Sequence, residues 1–120
     1  MFNPDDVYDL QYSTEKQTID RKSARIYPRD FSIPVVAMAN ADGGYLAIGI
    51  EDDGTISGID AYEKNLNELL RVPFDYCAPS VAIENVTLDV IDRDGKPNHI
   101  LRMHVLPSAL VVANQADEVY

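Results

Sequence analysis

The stretch ANADGGYLAIGIEDDG, residues 39–54, constrains the fold more than any other part of the chain. YLAIGI, residues 45–50, is a continuous apolar run with β-branched and aromatic residues, the pattern of a central strand buried on both faces. Ahead of it, RDFSIPVVAMANADGG repeats apolar residues at helical spacing: Ile33, Val36 and Ala37, and again Val35, Met38 and Ala39. Pro34 fits a helix only in its first turn, so the helix is expected to start near Ser32 or Ile33. Asn40 to Gly43 supply its stop, because glycine tolerates the left-handed conformation that closes helices. The glycines therefore lead from a helix into a strand. A dinucleotide fingerprint runs from strand to helix, and a phosphate loop needs a lysine and a hydroxyl after its last glycine. Gly43 and Gly44 are accordingly read as a structural turn.

The flanking elements follow from the same rules. Residues 1–14 form a tail or a short leading helix, with Val7 and Leu10 weakly periodic. QTIDRKSARI, residues 17–26, is expected as a strand. Glu51 to Gly54 make a turn, with Asp53-Gly54 a good hairpin pair, and TISGI is expected to return beside YLAIGI. KNLNELLRVPF places Leu66, Leu69 and Leu70 on one helical face, and Pro73 is expected to end that helix. VTLDVID and HILRMHVLP around RDGKPN are the clearest hairpin. Val86, Leu88 and Val90 share one face of the first strand; Leu101, Met103 and Val105 share one face of the second. LVVANQADEVY begins another strand. The expected class is α+β, a mixed sheet of about five to six strands with two main helices.

Composition narrows the function. The chain has 120 residues, one domain's worth, and 46% of them are apolar. No run approaches the length of a membrane span, and the acidic start MFNPDD is not a signal peptide, so a soluble, cytoplasmic domain is expected. Cys77 is the single cysteine, in an apolar context that reads as a buried thiol. The net charge of −10 argues against a protein that coats nucleic acid indiscriminately. Yet Lys16, Arg21, Lys22, Arg25 and Arg29, opposed only by Asp20, give residues 16–29 a charge of +4. Such a stripe can hold phosphates; for charge runs in general a solvated face is the commoner reading.

Other chemistry is thin. His99 and His104 are five apart on a strand and point to opposite faces, so they cannot chelate one metal together. His104 alternates with Arg102 on what reads as the polar face. Ser80 and Ser108 border prolines and lie in no nucleophile elbow. Glu15 and Asp20 flank one strand and Glu51 and Asp52 close another. If those strands are neighbours, carboxylates from both could converge and bind Mg²⁺ or Mn²⁺, although acids at strand ends are usually solvated turn residues.

Taken together, these blocks resemble the Schlafen AlbA-type domain, also called the divergent AAA-like domain. Glu15 to Lys22, EKQTIDRK, is similar to its opening E-[ST]-x-x-[LV]-E-[FW]-K, with Asp20 for the usual glutamate and Arg21 for the usual aromatic. Ala37 to Gly54 is similar to A-F-A-N-T-x-G-G-x-L-x-I-G-V-x-D-x-G. Ile56 to Ile59 fits I-x-G-[IV], and Val105 to Ser108 fits V-x-P-S. The likeness covers about residues 15–120. It implies a compact α+β domain, usually at the N-terminus of a longer bacterial protein, in a class described as transcriptional regulators. Residues 15–120 are accordingly expected to be one such domain, cut from a longer protein.

The resemblance implies nucleic-acid binding, with DNA or RNA as partner and Lys16, Arg21, Lys22, Arg25 and Arg29 as the phosphate contacts. In animal Schlafen relatives three carboxylates support metal-dependent RNA cleavage. Carried over by motif, they are Glu15, Asp20 and Asp52, which would be both catalytic residues and Mg²⁺ or Mn²⁺ ligands if this chain is a nuclease. Otherwise no cofactor is expected. Whether the isolated domain is an enzyme stays open, with the balance against it. A third reading is an oligomerisation module that pairs a sheet edge with a second copy.

Overall fold

The computed structural model describes residues 2–13 and 18–120. In chain order the elements are α1 (Val7–Tyr12), β1 (Ile19–Lys22), α2 (Pro28–Ala39), β2 (Gly44–Ile48), a 3₁₀ turn (Asp60–Tyr62), α3 (Glu63–Asp75), β3 (Cys77–Ala78), β4 (Ile83–Ile91), β5 (Pro97–Val105) and β6 (Ala113–Asn114). Four strands make a mixed sheet in the order β1-β2-β5-β4. β1 and β2 are parallel and joined through α2, the crossover that a parallel pair requires. β5 runs antiparallel to both β2 and β4. β3 and β6 form a separate two-stranded sheet. The α+β class, six strands and two main helices match the sequence pattern, with the strands divided between two sheets.

The four-stranded sheet is apolar on both faces. On one, Leu46 and Ile48 of β2 and Leu101, Met103 and Val105 of β5 pack with Phe31, Val35, Val36 and Ala39 of α2 and Leu69 and Val72 of α3. On the other, Ala47, Ile50, Val90 and Ile100 are closed off by Leu10 of α1, with Val7, Ile19, Ile56 and Leu88 at the margin. The register explains the division. Val86, Leu88 and Val90 pair with Arg102, Ile100 and Asn98, not with Leu101, Met103 and Val105. The two apolar rows of the hairpin therefore face opposite sides of the sheet. β2 is buried by both layers, as its unbroken apolar run requires.

Several boundaries differ from the sequence expectation. α2 begins at Pro28, a first-turn proline, after Tyr27 in extended geometry. Pro34 therefore lies inside the helix. Its missing N–H leaves the Asp30 carbonyl without the usual partner, which is tolerable because Asp30 is exposed. α3 likewise runs through Pro73 to Asp75, because Pro73 is buried and its carbonyl accepts the Val81 N–H at 2.9 Å. β1 spans four residues, not ten: at Ser23 the chain turns, and the Ser23 Oγ accepts the Arg25 N–H at 3.2 Å. TISGI returns to β2 only through one bridge, Ile50 to Ile56. The C-terminal strand is two residues long and pairs with Cys77–Ala78. Arg102 and His104 do not lie on an open polar face. Arg102 is buried, because the register sets it opposite Ala47 beneath the N-terminal segment.

Candidate nucleic-acid interface

The end of β1, the turn after it and the first turn of α2 carry three cations within eight residues, with Lys22 lining the groove between β1 and α2 and Arg29 a separate hollow with Ser32, Tyr76 and Asn114. Lys22 closes β1, Arg25 sits on the exposed turn, and Arg29 is exposed in the first turn of α2. Lys22 Nζ lies 3.2 Å from Asp20. Arg25 Nη2 donates to Glu51 at 2.9 Å, and its Nε donates to the Ser23 Oγ. Arg21 is placed differently. Side chains alternate along a strand, so Ile19 and Arg21 face α1 while Asp20 and Lys22 face α2. The Arg21 Nε donates to the Leu10 carbonyl at 2.8 Å, and its Nη2 donates to the carbonyl and hydroxyl of Ser13. Arg21 thus ties the end of α1 to β1. Lys16 lies outside the described residues.

Of the three carboxylates carried over by motif, Glu15 also lies outside the described residues. Asp20 pairs with Lys22 and lines a groove of about 530 Å³ between β1 and α2, with Ile26, Ile33, Pro34 and Met38. Asp52 is exposed in the turn beyond β2, and that turn rests on α1 through a bond from the Gln11 side chain to the Gly54 carbonyl. Asp20 and Asp52 thus belong to different layers of the fold. Among the described residues no three His, Cys, Asp or Glu side chains gather to hold a metal. The acid that the fold does organise here is Glu51. One of its oxygens takes Arg25, and the other accepts the Ser57 hydroxyl at 2.7 Å.

The motif residues contact one another. The Gly43 N–H donates to the Met38 carbonyl, closing α2, and Gly43 has φ of 82°. A Cβ on Gly43 would sit 2.5 Å from the Val105 carbonyl, so the double glycine and the VLPS segment press together. The Ser108 N–H donates to the Ala39 carbonyl at 2.7 Å. The N–H groups of Ser57 and Gly58 both donate to the Gly49 carbonyl, which joins IGI to ISGI. Asn40, read from sequence only as part of a helix stop, holds the C-terminal segment. Its side chain accepts the Val112 N–H at 2.8 Å and donates to the carbonyls of Val112 and Tyr120. No local pattern marks that role, because the partners are some 70 residues away in the chain.

The remaining candidates are settled by their neighbours. Cys77 is buried, and burial pushes its thiol up to about 11. His99 lies between Asp60, 2.8 Å from its Nδ1, and Asp89, 3.2 Å from its Nε2. The hydrogen bond to Asp60 raises the imidazole above its ordinary value, with the charges of Asp60 and Asp89 acting the same way. His104 stacks on Tyr45 across β2 and β5. Asn98, also buried, accepts the N–H groups of Ile59, Asp60 and His99 and donates to Asp92. Among the described residues no helix is long and apolar enough to cross a membrane.

No curated protein matches the chain. The family model of Schlafen, AlbA_2 matches residues 15–120, which includes β1, the glycine block, the hairpin and the VLPS segment. These are the segments that the fold brings together around α2 and β2, and the match spans most of the chain: the protein belongs to the Schlafen AlbA_2 family.

Proposed function

We propose that this chain is a nucleic-acid-binding domain of a bacterial transcriptional regulator, with DNA as its expected partner and Lys22, Arg25 and Arg29 as its phosphate contacts. Family membership supports a nucleic-acid-related role. What supports this choice of surface is the run of three accessible cations from the end of β1 to the first turn of α2, in a chain of net charge −10. Two of them are held by carboxylates, Asp20 and Glu51. Both pairs are open to solvent on at least one side, where such pairs are worth about 0–1 kcal/mol, so a phosphate can compete for either cation. Arg21 belongs to the scaffold in this reading, and Lys16 would extend the stripe. The acidic remainder of the chain confines contact to this stretch and keeps binding salt-sensitive.

The test is charge reversal. Lys22→Glu with Arg25→Glu is expected to weaken binding to duplex or single-stranded nucleic acid. The slope of log affinity against log salt should fall by roughly 0.7–0.9 for each phosphate no longer neutralised, measured by anisotropy titration. Binding that is absent or insensitive to salt in the unaltered chain removes the basis of this reading. Mn²⁺-dependent cleavage of structured RNA that disappears in Asp52→Ala would instead give Glu15, Asp20 and Asp52 the role of metal-binding catalytic residues.

A further inference from the structure

The sheet face that α1 covers also carries an aromatic patch outside the phosphate-contact surface. Tyr45 on β2 and His104 on β5 are register partners, with ring centroids 4.4 Å apart and planes 18° apart. Arg102, two residues before His104 on the same face, holds its guanidinium carbon 5.4 Å from the Tyr45 centroid. The result is a flat π surface with one cation at its border. Two residues of the N-terminal segment lie on it. The Phe2 ring is 6.2 Å from that of Tyr45, tilted by 59°. The Asp5 carboxylate accepts a hydrogen bond from the Arg102 Nη1. The Arg102 side chain is 9% exposed and that of Asp5 is 57% exposed. The Arg102 Nε is buried without a partner among the described residues. An aromatic ring and an anion from the chain itself thus occupy an aromatic face and its bordering cation.

We propose that this face is a binding site for one unpaired nucleotide of a single strand, its base stacked on Tyr45 and His104 and its phosphate on Arg102. Residues 2–5 act as an autoinhibitory strap that fills the site until the strand arrives. The proposal rests on the nucleic-acid-binding reading. It uses the face of the sheet opposite Lys22, so the two can fail separately.

Stacking needs only the π-face that every base has, and sheet-borne aromatic side chains take bases that are splayed out of a helix. A paired base keeps its faces covered by its neighbours, so the site selects unpaired strands. A buried guanidinium left without an anion is costly. Asp5 therefore leaves when another anion replaces it, and the event is an exchange and not a simple opening. Because Asp5 reaches Arg102 from solvent, a phosphate has the same approach. Glu84 on β4, 4.0 Å from His104, puts negative charge on the opposite border and confines the phosphate to the Arg102 side. The strap is tied to α1 through Asn3, whose N–H donates to Asp9 Oδ2 at 2.8 Å and whose carbonyl accepts the Asp6 N–H at 3.0 Å. Asn3 is exposed, so water can replace these bonds and the strap can lift while buried Leu10 keeps α1 docked.

The test uses the full chain and labelled oligothymidylate and oligouridylate, read by fluorescence anisotropy. Phe2→Ala with Asp5→Ala should bind both strands roughly 3- to 10-fold more tightly, because the competent fraction rises. Adding Tyr45→Leu should then weaken binding about 5- to 150-fold, the range for losing one base stack, while Tyr45→Phe keeps it. An abasic strand of equal length should not distinguish Tyr45→Leu from its parent. If Tyr45→Leu does not fold by circular dichroism, His104→Leu makes the same truncation from β5. Unchanged affinity on ring removal, or no oligonucleotide bound by the strap-released chain, overturns the site. Unchanged affinity on strap release overturns autoinhibition. Binding that is lost in the Lys22 and Arg25 reversals but indifferent to Tyr45 and His104 leaves the phosphate surface standing without this site.

Discussion

Gly43 has φ of 82° and lies against the Val105 carbonyl and Pro107. Gly58 has φ of 80° and its Cα faces the Asn98 side chain, which holds the turn into α3. An added methyl at either place meets both a strained backbone and an occupied volume. Gly43→Ala is therefore expected to destabilise the chain by more than about 1 kcal/mol in urea unfolding. A cost within a few tenths of a kcal/mol would mean that the VLPS segment can move aside. The structural role of Gly43 was legible in the sequence, because no phosphate motif could be completed around it. The roles of Asn40 and Asn98 were not: each bonds to backbone groups far away in the chain, and nothing local distinguishes such an asparagine from one in a solvated turn.

At the level of elements, the N-terminal helix is the clearest case of a weak local signal with a firm tertiary role. Six residues do not make a stable helix in water. α1 persists because Asp6 caps it, Arg21 bonds to its last carbonyls, and Leu10 is buried on the second face of the sheet. Leu10→Ala should cost about 2–5 kcal/mol in chemical denaturation, the range for truncating a buried leucine. A surface-like cost below about 0.5 kcal/mol would show that the helix is not part of the fold's stability. The two internal prolines carry a related lesson. Pro34 and Pro73 read locally as helix boundaries, yet both helices continue through them. Packing of Val35, Val36, Met38 and Ala39 on one side and of Leu69 and Val72 on the other outweighs the one backbone bond missing from each.

Across the whole molecule, the layers are joined by few but specific polar contacts, and one of them titrates. His99 of β5 sits between Asp60, ahead of α3, and Asp89 of β4. Its folded value lies above 6.5, chiefly through the Asp60 hydrogen bond. The stabilisation it contributes is thus fully present below about pH 6.5 and is lost as pH rises through the raised folded value. The melting-temperature gap between the unaltered chain and His99→Gln should be widest below about pH 6.5 and should narrow as pH rises above it. A gap that is constant with pH would assign His99 a packing role alone. What the sequence by itself determined is the α+β class, the buried central strand, the β4–β5 hairpin, the structural glycines and the family. All of these rest on short-range periodicity and turn chemistry, which one stretch of chain contains in full. Only the tertiary structure decided which face each strand presents, that Arg21 ties down α1, and that Glu51 is the organised acid beside Arg25. It alone set Tyr45, His104 and Arg102 side by side under the N-terminal segment. Strand register is a relation between distant segments, and a shift of one residue would have sent every one of those side chains to the other face.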